Sequence, residues 1–160
     1  MTQVRLRPMT VEEYRDWLPW AIEDYAREDV EHKAVDPDRA RSNMAAFLKS
    51  VIPRGPRTEG HRLSIVEDAE TGERVGYTWW ADRELDAGPV AWIYDVYIDE
   101  PHRGRGFGRG LMEAVEAQVR EAGLTRMELH VWVDNDPARS LYHSLGFMPT
   151  GMEMFKRLAD

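Results

Sequence analysis

The stretch that most constrains this chain runs from Val90 to Val133. An apolar run, Val90 to Ile98, leads into the sequence EPHRGRGFGRGL, a helical run follows from Phe107 to Ala122, and a second alternating stretch spans Met127 to Val133. Leu111, Met112, Val115, Val119 and Ala122 fall on one helix face, and Gly123 stands where such a helix stops. A crossover of this length between two strands makes them parallel, with a right-handed connection. The nearly continuous apolar character of the first strand places it centrally in its sheet. This β-loop-α-β unit fixes the class as α/β.

The flanking sequence adds strands and helices around that unit. Val4, Leu6 and Met9 alternate with Arg5 and Arg7 as a short strand, and Thr10 with Glu13 has the spacing of a helix capping box. The helix so opened carries Tyr14, Trp17 and Leu18 on one side; Pro19 is expected to interrupt it before Trp20 to Val30 continues. A second helix is expected over Pro37 to Leu48 with Asp36 as its cap. Strands follow around Leu63 to Val66 and over Val75 to Ala81, with turns at DAETGE and at residues 82–89. Beyond Val133, Asp136 and Pro137 open a helix that ends at Gly146, and Phe147 to Leu158 is expected to supply one or two closing strands. The expectation is one domain over residues 1–160, a mixed β-sheet flanked by helices.

Composition removes several functions. The longest apolar runs are five residues, Met44 to Leu48 and Val90 to Tyr94, against the ~18 that cross a bilayer. The first ten residues carry charge without an apolar stretch behind it, unlike a secretory signal, so a cytoplasmic address is expected. The chain has no cysteine, which excludes disulfides, thiolate zinc sites and a cysteine nucleophile. Its five histidines show no H-E-x-x-H or other zinc spacing, so no metal is implied. The net charge of -8 argues against non-specific nucleic-acid binding, and with no apolar run of spanning length no membrane partner is expected. That acidity is concentrated: residues 61–100 hold ten acids against three bases.

The loop between the central strand and its helix runs against this balance. Arg103, Arg105 and Arg109 lie among glycines at 104, 106, 108 and 110. Glycines let a backbone turn tightly and approach a ligand, and a helix N-terminus offers unpaired N–H groups and the positive end of a dipole, so an anion belongs here. The dinucleotide fingerprint would need glycine where Arg109 or Leu111 stands, and the P-loop lysine is missing. A bare tight turn would need one or two glycines, not four with interleaved arginines. An arginine-glycine RNA tail would be disordered and repetitive, whereas this loop is short and flanked by periodic elements.

The run Arg103-Gly104-Arg105-Gly106-Phe107-Gly108 resembles the R/Q-x-x-G-x-G/A signature of the GNAT-type (GCN5-related) N-acetyltransferase superfamily. A second signature follows: Asn135, Ala138, Leu141, Tyr142, Gly146 and Phe147 match N-x-x-A-x-x-L-Y-x-x-x-G-F without a gap. The resemblance covers roughly residues 60–155 and implies the acyl-CoA N-acyltransferase fold, with acetyl-coenzyme A as co-substrate. It implies that the loop of Arg103 to Arg109 binds the cofactor's phosphates and that a backbone N–H near Tyr97 and Ile98 polarises the thioester carbonyl. Read alone, Asn135 is the capping residue of the helix that Asp136 and Pro137 open; the resemblance implies that it contacts the pantetheine arm. Arg139, on the first turn of the same helix, is either a solvated arginine or a further phosphate ligand.

Two side chains are candidates for proton transfer. Tyr142 borders the Leu141–Leu145 stripe, two turns or ~10 Å along the helix from Asn135. Read alone it is an amphipathic packing residue; the matched motif implies the donor that protonates the departing thiolate. Asp95 puts a charge in an otherwise apolar strand, which costs several kcal/mol unless it is paired or functional. It stands where the resemblance implies a general base, and an ordinary paired aspartate is the other reading. Glu67 and Glu100 are weaker substitutes for the base, and His102 reads as a solvated turn residue.

The resemblance places the acceptor pocket near Tyr14, Trp17, Trp20, Tyr25, Trp79 and Trp80, most of which also read as core. The expected partner is a small-molecule or peptide amine, possible cationic character following from the acidic middle segment, and the chain is expected to be a monomer or homodimer. A non-catalytic acyl-CoA-binding sensor, which would keep the loop without needing Tyr142, is the rival function.

Overall fold

Alternation ahead of Thr10 gives β1 (Val4–Pro8), and the capping box then starts α1 (Val11–Lys33). Both reciprocal bonds of that box are present: Thr10 N–H donates to Glu13 Oε2 at 2.8 Å and Glu13 N–H donates to Thr10 Oγ1 at 3.1 Å. The computed structural model describes residues 2–86 and 88–158. After α2 (Pro37–Val51) come β2 (His61–Asp68), β3 (Arg74–Leu85), β4 (Gly88–Ile98), α3 (Phe107–Glu121), β5 (Met127–Leu129) and α4 (Asp136–Ser144), with short 3₁₀ turns at Gly55–Arg57 and Glu100–His102. The strands form one sheet in the order β1-β2-β3-β4-β5. The first four pair antiparallel, and β4 pairs parallel with β5, as the crossover through α3 requires. No helix among the described residues is long and apolar enough to cross a membrane.

The chain packs as two compact units whose sequences interleave. Residues up to Leu18 with Ser50–His130 make the first, which holds the whole sheet and α3; Pro19–Lys49 with the residues from Val131 on make the second. In the first unit, side chains alternate across β3. Trp80 faces α3, where its Nε1 donates to Gln118 Oε1 at 3.1 Å, and Leu111, Met112, Val115 and Val119 are buried there. Trp79 and Tyr77 face the opposite way, where Trp17 of α1 meets both edge-on at 6.3 and 5.8 Å. Trp79 and Trp80 are 1% and 0% exposed, so these two acceptor-pocket candidates are core residues, and Trp17 is buried with them.

Four boundaries differ from the sequence reading. Helix α1 runs through Pro19, because Pro19 and Arg15 are exposed and the Arg15 carbonyl that loses its bond can face water. The hairpin between β3 and β4 pairs out to Leu85 opposite Gly88, which turns most of the expected loop into strand. Strand β5 ends at Leu129 instead of reaching Val133, since Trp132 and Asp134 are held by side-chain contacts of their own (below). Residues 147–158 form no strand: Met152 and Met154 alternate as a strand would, yet nothing among the described residues pairs with them.

Candidate functional site

The glycine loop sits where the sequence places it, between β4 and α3. Gly104 and Gly106 take positive φ of 72° and 89°, and Gly106 is the residue that caps α3. A side chain at Gly106 would come within 3.1 Å of Thr2 Oγ1, and one at Gly110 within 2.6 Å of the Thr2 carbonyl oxygen, so β1's approach to α3 needs glycine at both. The first backbone bond of the helix runs from Gly110 N–H to Gly106 O, leaving the amides of Phe107 and Gly108 ahead of it at the positive end of the helix dipole. The arginines are organised locally. Arg103 Nε donates to the Ile98 carbonyl at 2.9 Å and its guanidinium lies 5.3 Å from the Tyr97 ring; the Arg105 guanidinium lies 5.3 Å from the Phe107 ring. Thr2 Oγ1 donates to the Arg105 carbonyl at 2.8 Å. A glycine-rich, positively charged turn at a helix N-terminus fits a diphosphate.

Strand β4 presents a second feature. Its parallel pairing with β5 covers only Ala91 to Ile93, where β5 ends, so the edge from Tyr94 onward is paired with no strand among the described residues. On the β3 side, Asp99 N–H donates to Val75 O at 2.9 Å, and strand alternation turns the Tyr97 amide the same way. The amides of Val96 and Ile98 therefore face the edge away from β3, as does the Ile98 carbonyl that Arg103 caps. Of the two positions expected from the sequence, Ile98 is the one whose N–H faces this edge.

A β-bulge re-aims the strand just before it. Trp79 pairs with Asp95 and Trp80 with Ile93, so Tyr94 is the extra residue. Tyr94 stacks on Trp79 at 4.0 Å and 9°, and burial pushes its phenol pKa upward. Asp95 next to it is half-buried and hydrogen-bonded: Tyr77 O–H donates to Oδ2 at 3.0 Å. Thr78 Oγ1 donates to the Asp95 carbonyl at 2.9 Å.

His61 joins this cluster, and sequence reasoning missed it. Its Nδ1 accepts from Trp79 Nε1 at 3.0 Å; an indole N–H can only donate, so the imidazole is assigned as the neutral Nε2–H tautomer. Burial lowers its pKa in the same direction. No spacing rule marks a lone histidine at a strand start, and only the pairing of β2 with β3 brings it to Trp79.

The weaker base candidates are placed as well. Glu67 accepts from Arg7 Nε at 2.9 Å and from Arg5 Nη2 at 2.7 Å, and these bonds, Arg7 first, hold its carboxyl below the usual carboxylate range. Glu100 and half-buried His102 form the 3₁₀ turn ahead of the loop, with His102 Nδ1 3.4 Å from Arg105 Nη1.

The second unit holds the other motif. Asn135 caps α4, its side-chain oxygen accepting from Ala138 N–H at 3.2 Å. Arg139 Nη1 donates to the Val133 carbonyl at 2.7 Å and to Asp136 Oδ1 at 3.1 Å, which ties it to its own helix entry. Tyr142 is half-buried and its ring lies 5.6 Å from Phe147. Ahead of α4, Trp132 stacks on His32 at 4.2 Å and 8°, and His32 Nε2 bonds Asp134 Oδ1 at 2.8 Å. One ligand atom each from Glu28, Glu31 and His32 lies within 4.8 Å of the others, a spacing a metal could use. Both His32 nitrogens are already engaged, Nδ1 by the Glu28 carbonyl at 2.9 Å and Nε2 by Asp134, which does not fit a vacant ligand.

Comparison with known proteins bears on the family and the fold. Residues 13–147 match the model of the acetyltransferase (GNAT) family. The uncharacterized N-acetyltransferase YycN of Bacillus subtilis is 32% identical over 155 residues, 97% of this chain and 99% of that protein. A mycothiol acetyltransferase of Nocardiopsis dassonvillei is 31% identical over 91% of this chain, which spans 42% of that longer protein. The crystal structure of the B. subtilis YycN protein superposes with a TM-score of 0.90 at 31% identity, covering 99% of this chain and all of that one.

Proposed function

Because this chain belongs to the acetyltransferase (GNAT) family, we propose that it moves the acetyl group of acetyl-coenzyme A onto a primary amine by direct attack. The observation that carries the reading is the juxtaposition in one unit of the glycine-arginine turn over the α3 amides with a bulged β4 whose Val96 and Ile98 amides face the edge left without a strand beyond β5. The co-substrate supplies a thioester whose C–S bond breaks as the amine nitrogen forms a bond to the acetyl carbon. Gly104 to Gly108 hold the diphosphate through backbone N–H groups, with Arg103, Arg105 and Arg109 adding charge. The Ile98 amide, with that of Val96, polarises the acetyl carbonyl in the manner of an oxyanion hole.

Asp95 takes the proton of the attacking amine, through a water, and Tyr77 orients its carboxylate. Tyr142 is assigned the proton that the thiolate receives on its match to the second motif alone. Asn135 is assigned to the pantetheine arm on the same ground. Arg139, committed to Val133 and Asp136, stays out of the reading. The acidity of residues 61–100 favours a cationic acceptor, a small molecule or a peptide.

Thiol release from acetyl-coenzyme A across polyamines, aminoglycosides, amino acids and peptide N-termini tests the reading. Turnover of a cationic amine, lowered at least tenfold in Tyr142→Phe, is expected. If no amine is turned over while acetyl-coenzyme A still raises the melting temperature, the chain is a non-catalytic acyl-CoA sensor.

A further inference from the structure

The face of the sheet that meets Trp17 carries a donor that the proposed reaction leaves unused. Trp79 Nε1 donates to His61 Nδ1, which puts the imidazole hydrogen on Nε2. That nitrogen has no hydrogen-bond partner among the described residues, yet it is open to solvent; the one buried side-chain nitrogen or oxygen left without a partner there is Trp17 Nε1. Burial lowers the ring's pKa, against a smaller pull from the charge of Asp82, so the imidazole is neutral at neutral pH. With Nδ1 occupied by the indole hydrogen and Nε2 carrying its own, the ring has no lone pair for an incoming proton. His61 is therefore a donor and not a base.

The strand register fixes where this donor stands relative to Asp95. His61 pairs with Ala81 and Ala81 with Trp92, whereas Trp79 pairs with Asp95. Two strand spacings and two residue steps thus separate His61 from Asp95, roughly 12 Å between their backbones. Both side chains lie on the same face, His61 through its bond from Trp79 and Asp95 through the one it accepts from Tyr77. Between them Tyr94 stacks on Trp79 at 4.0 Å and 9°, its ring 5.8 Å from that of His61. The bulge at Tyr94 and this stack hold a carboxylate and a neutral N–H donor at a set separation. The charge of Asp82, which is paired with Arg62 at 3.0 Å, acts on His61, so a carboxylate brought to Nε2 would meet a like charge while a neutral oxygen would not.

Resting on the acetyltransferase reading, we propose that His61 selects the acceptor: its Nε2–H donates to a neutral carbonyl oxygen carried by the same molecule whose amine faces Asp95. The acceptor class is then an amine with an amide or peptide carbonyl close by, as in an amino-acid amide or a peptide N-terminus, and not a simple alkylamine or a polyamine. The span agrees with this. Hydrogen bonds of about 2.8 Å from Asp95 to a water, from that water to the amine, and from Nε2 to the carbonyl leave about 4 Å to bridge, the length of one peptide unit. His61 takes no part in the proton transfers, which stay with Asp95 and Tyr142.

The test compares turnover of glycinamide and β-alaninamide with that of ethylamine and propylamine in the wild type, His61→Gln and His61→Glu. Glutamine and glutamate share one shape and both offer an oxygen to Trp79 Nε1, but at about pH 7.5 only glutamine donates. The added charge of glutamate acts on both kinds of amine, so the readout is the ratio of their kcat/KM values. The ratio of amide to alkylamine is expected to fall about five- to tenfold in His61→Glu, the size of one hydrogen bond, and to be kept in His61→Gln. A ratio that survives in His61→Glu, or that falls alike in both variants, overturns the proposal. A second measurement needs neither turnover nor a variant. With coenzyme A present, the His61 Nε2 resonance of the isotope-labelled wild type is expected to shift on addition of either amide and to stay in place with either alkylamine. A resonance that the amides leave unmoved overturns the proposal. If the wild type turns over no amine, the acetyltransferase reading fails, while the resonance still decides whether His61 binds the carbonyl.

Discussion

In the first unit Trp79, Trp80 and Leu111 are at most 1% exposed, and the glycine loop beside them is tied down through Ile98 and Thr2. In the second, α4 has no buried residue among those described, and its contacts are polar or aromatic ones around His32 and Asn135. The contrast separates two ways of holding a functional motif. One is set on a dense core that cannot deform without opening cavities; the other is held by a few polar and aromatic contacts around His32 and Asn135.

The sharpest test of that contrast is a pair of truncations. Trp80→Ala opens a cavity and strands Gln118, and should cost about 3–5 kcal/mol in urea denaturation. Phe47→Ala, at a position 37% exposed in the second unit, should cost about 1 kcal/mol. Equal losses would mean that the two units share one degree of packing, and the comparison would fail.

Backbone geometry gives the next largest effect. Gly106→Ala forces an L-residue to φ 89° and sets its Cβ against Thr2 Oγ1, for a loss of about 1–2 kcal/mol. Gly123→Ala, at φ 78° with nothing within 4 Å, carries the backbone strain alone. Calorimetric titration with acetyl-coenzyme A should show at least tenfold weaker binding for Gly106→Ala and unchanged binding for Gly123→Ala. Equal affinity in the two variants would remove the loop from the cofactor site.

These positions also mark what the sequence makes legible. The glycine loop, the capping box at Thr10 and the cap at Asn135 are local: each needs a few consecutive residues and the hydrogen bonds they make with one another, so spacing reveals them. The parallel β4–β5 pairing follows from chain geometry. The bulge at Tyr94 and the His61–Trp79 bond depend on how β2, β3 and β4 align, and no local residue pattern encodes that register. The expected strand over residues 147–158 shows the complementary failure: the alternation is real, but a strand also needs an edge to pair with.

Charge contributes a smaller, pH-dependent effect. Hydrogen bonds from Arg7 lower the Glu13 pKa to about 2 from an ordinary 4.5. A carboxyl whose folded pKa is depressed adds stability that is present above its unfolded pKa and lost as the pH falls through the folded one. Stability of the first unit should therefore fall between about pH 4.5 and 2, and Glu13→Gln should flatten that slope. Glu67, held down by Arg7 and Arg5, adds to the same slope, so it must persist in part in Glu13→Gln and disappear further in Glu13→Gln with Glu67→Gln.

The smallest expected effect belongs to the second unit and has the opposite sign. Burial alone would lower the His32 pKa, but the hydrogen bonds to Asp134 and to the Glu28 carbonyl, with the charges of Asp134 and Glu28, outweigh it and raise the value above 6.5. A raised folded pKa means that the contribution is complete below the unfolded value and is lost as the pH climbs through the folded one. The contacts of His32 with Asp134 and Trp132 should loosen as the pH rises through that raised value, on the alkaline side of 6.5, where the first unit shows no corresponding step from Glu13 or Glu67. Fluorescence of Trp132, stacked on the imidazole, reports this directly. A transition on the alkaline side of pH 6.5 is expected in the wild type and should vanish in His32→Gln. A transition that survives the substitution would take the anchor away from His32 and leave the Lys33 contact with Trp132 as its remaining support.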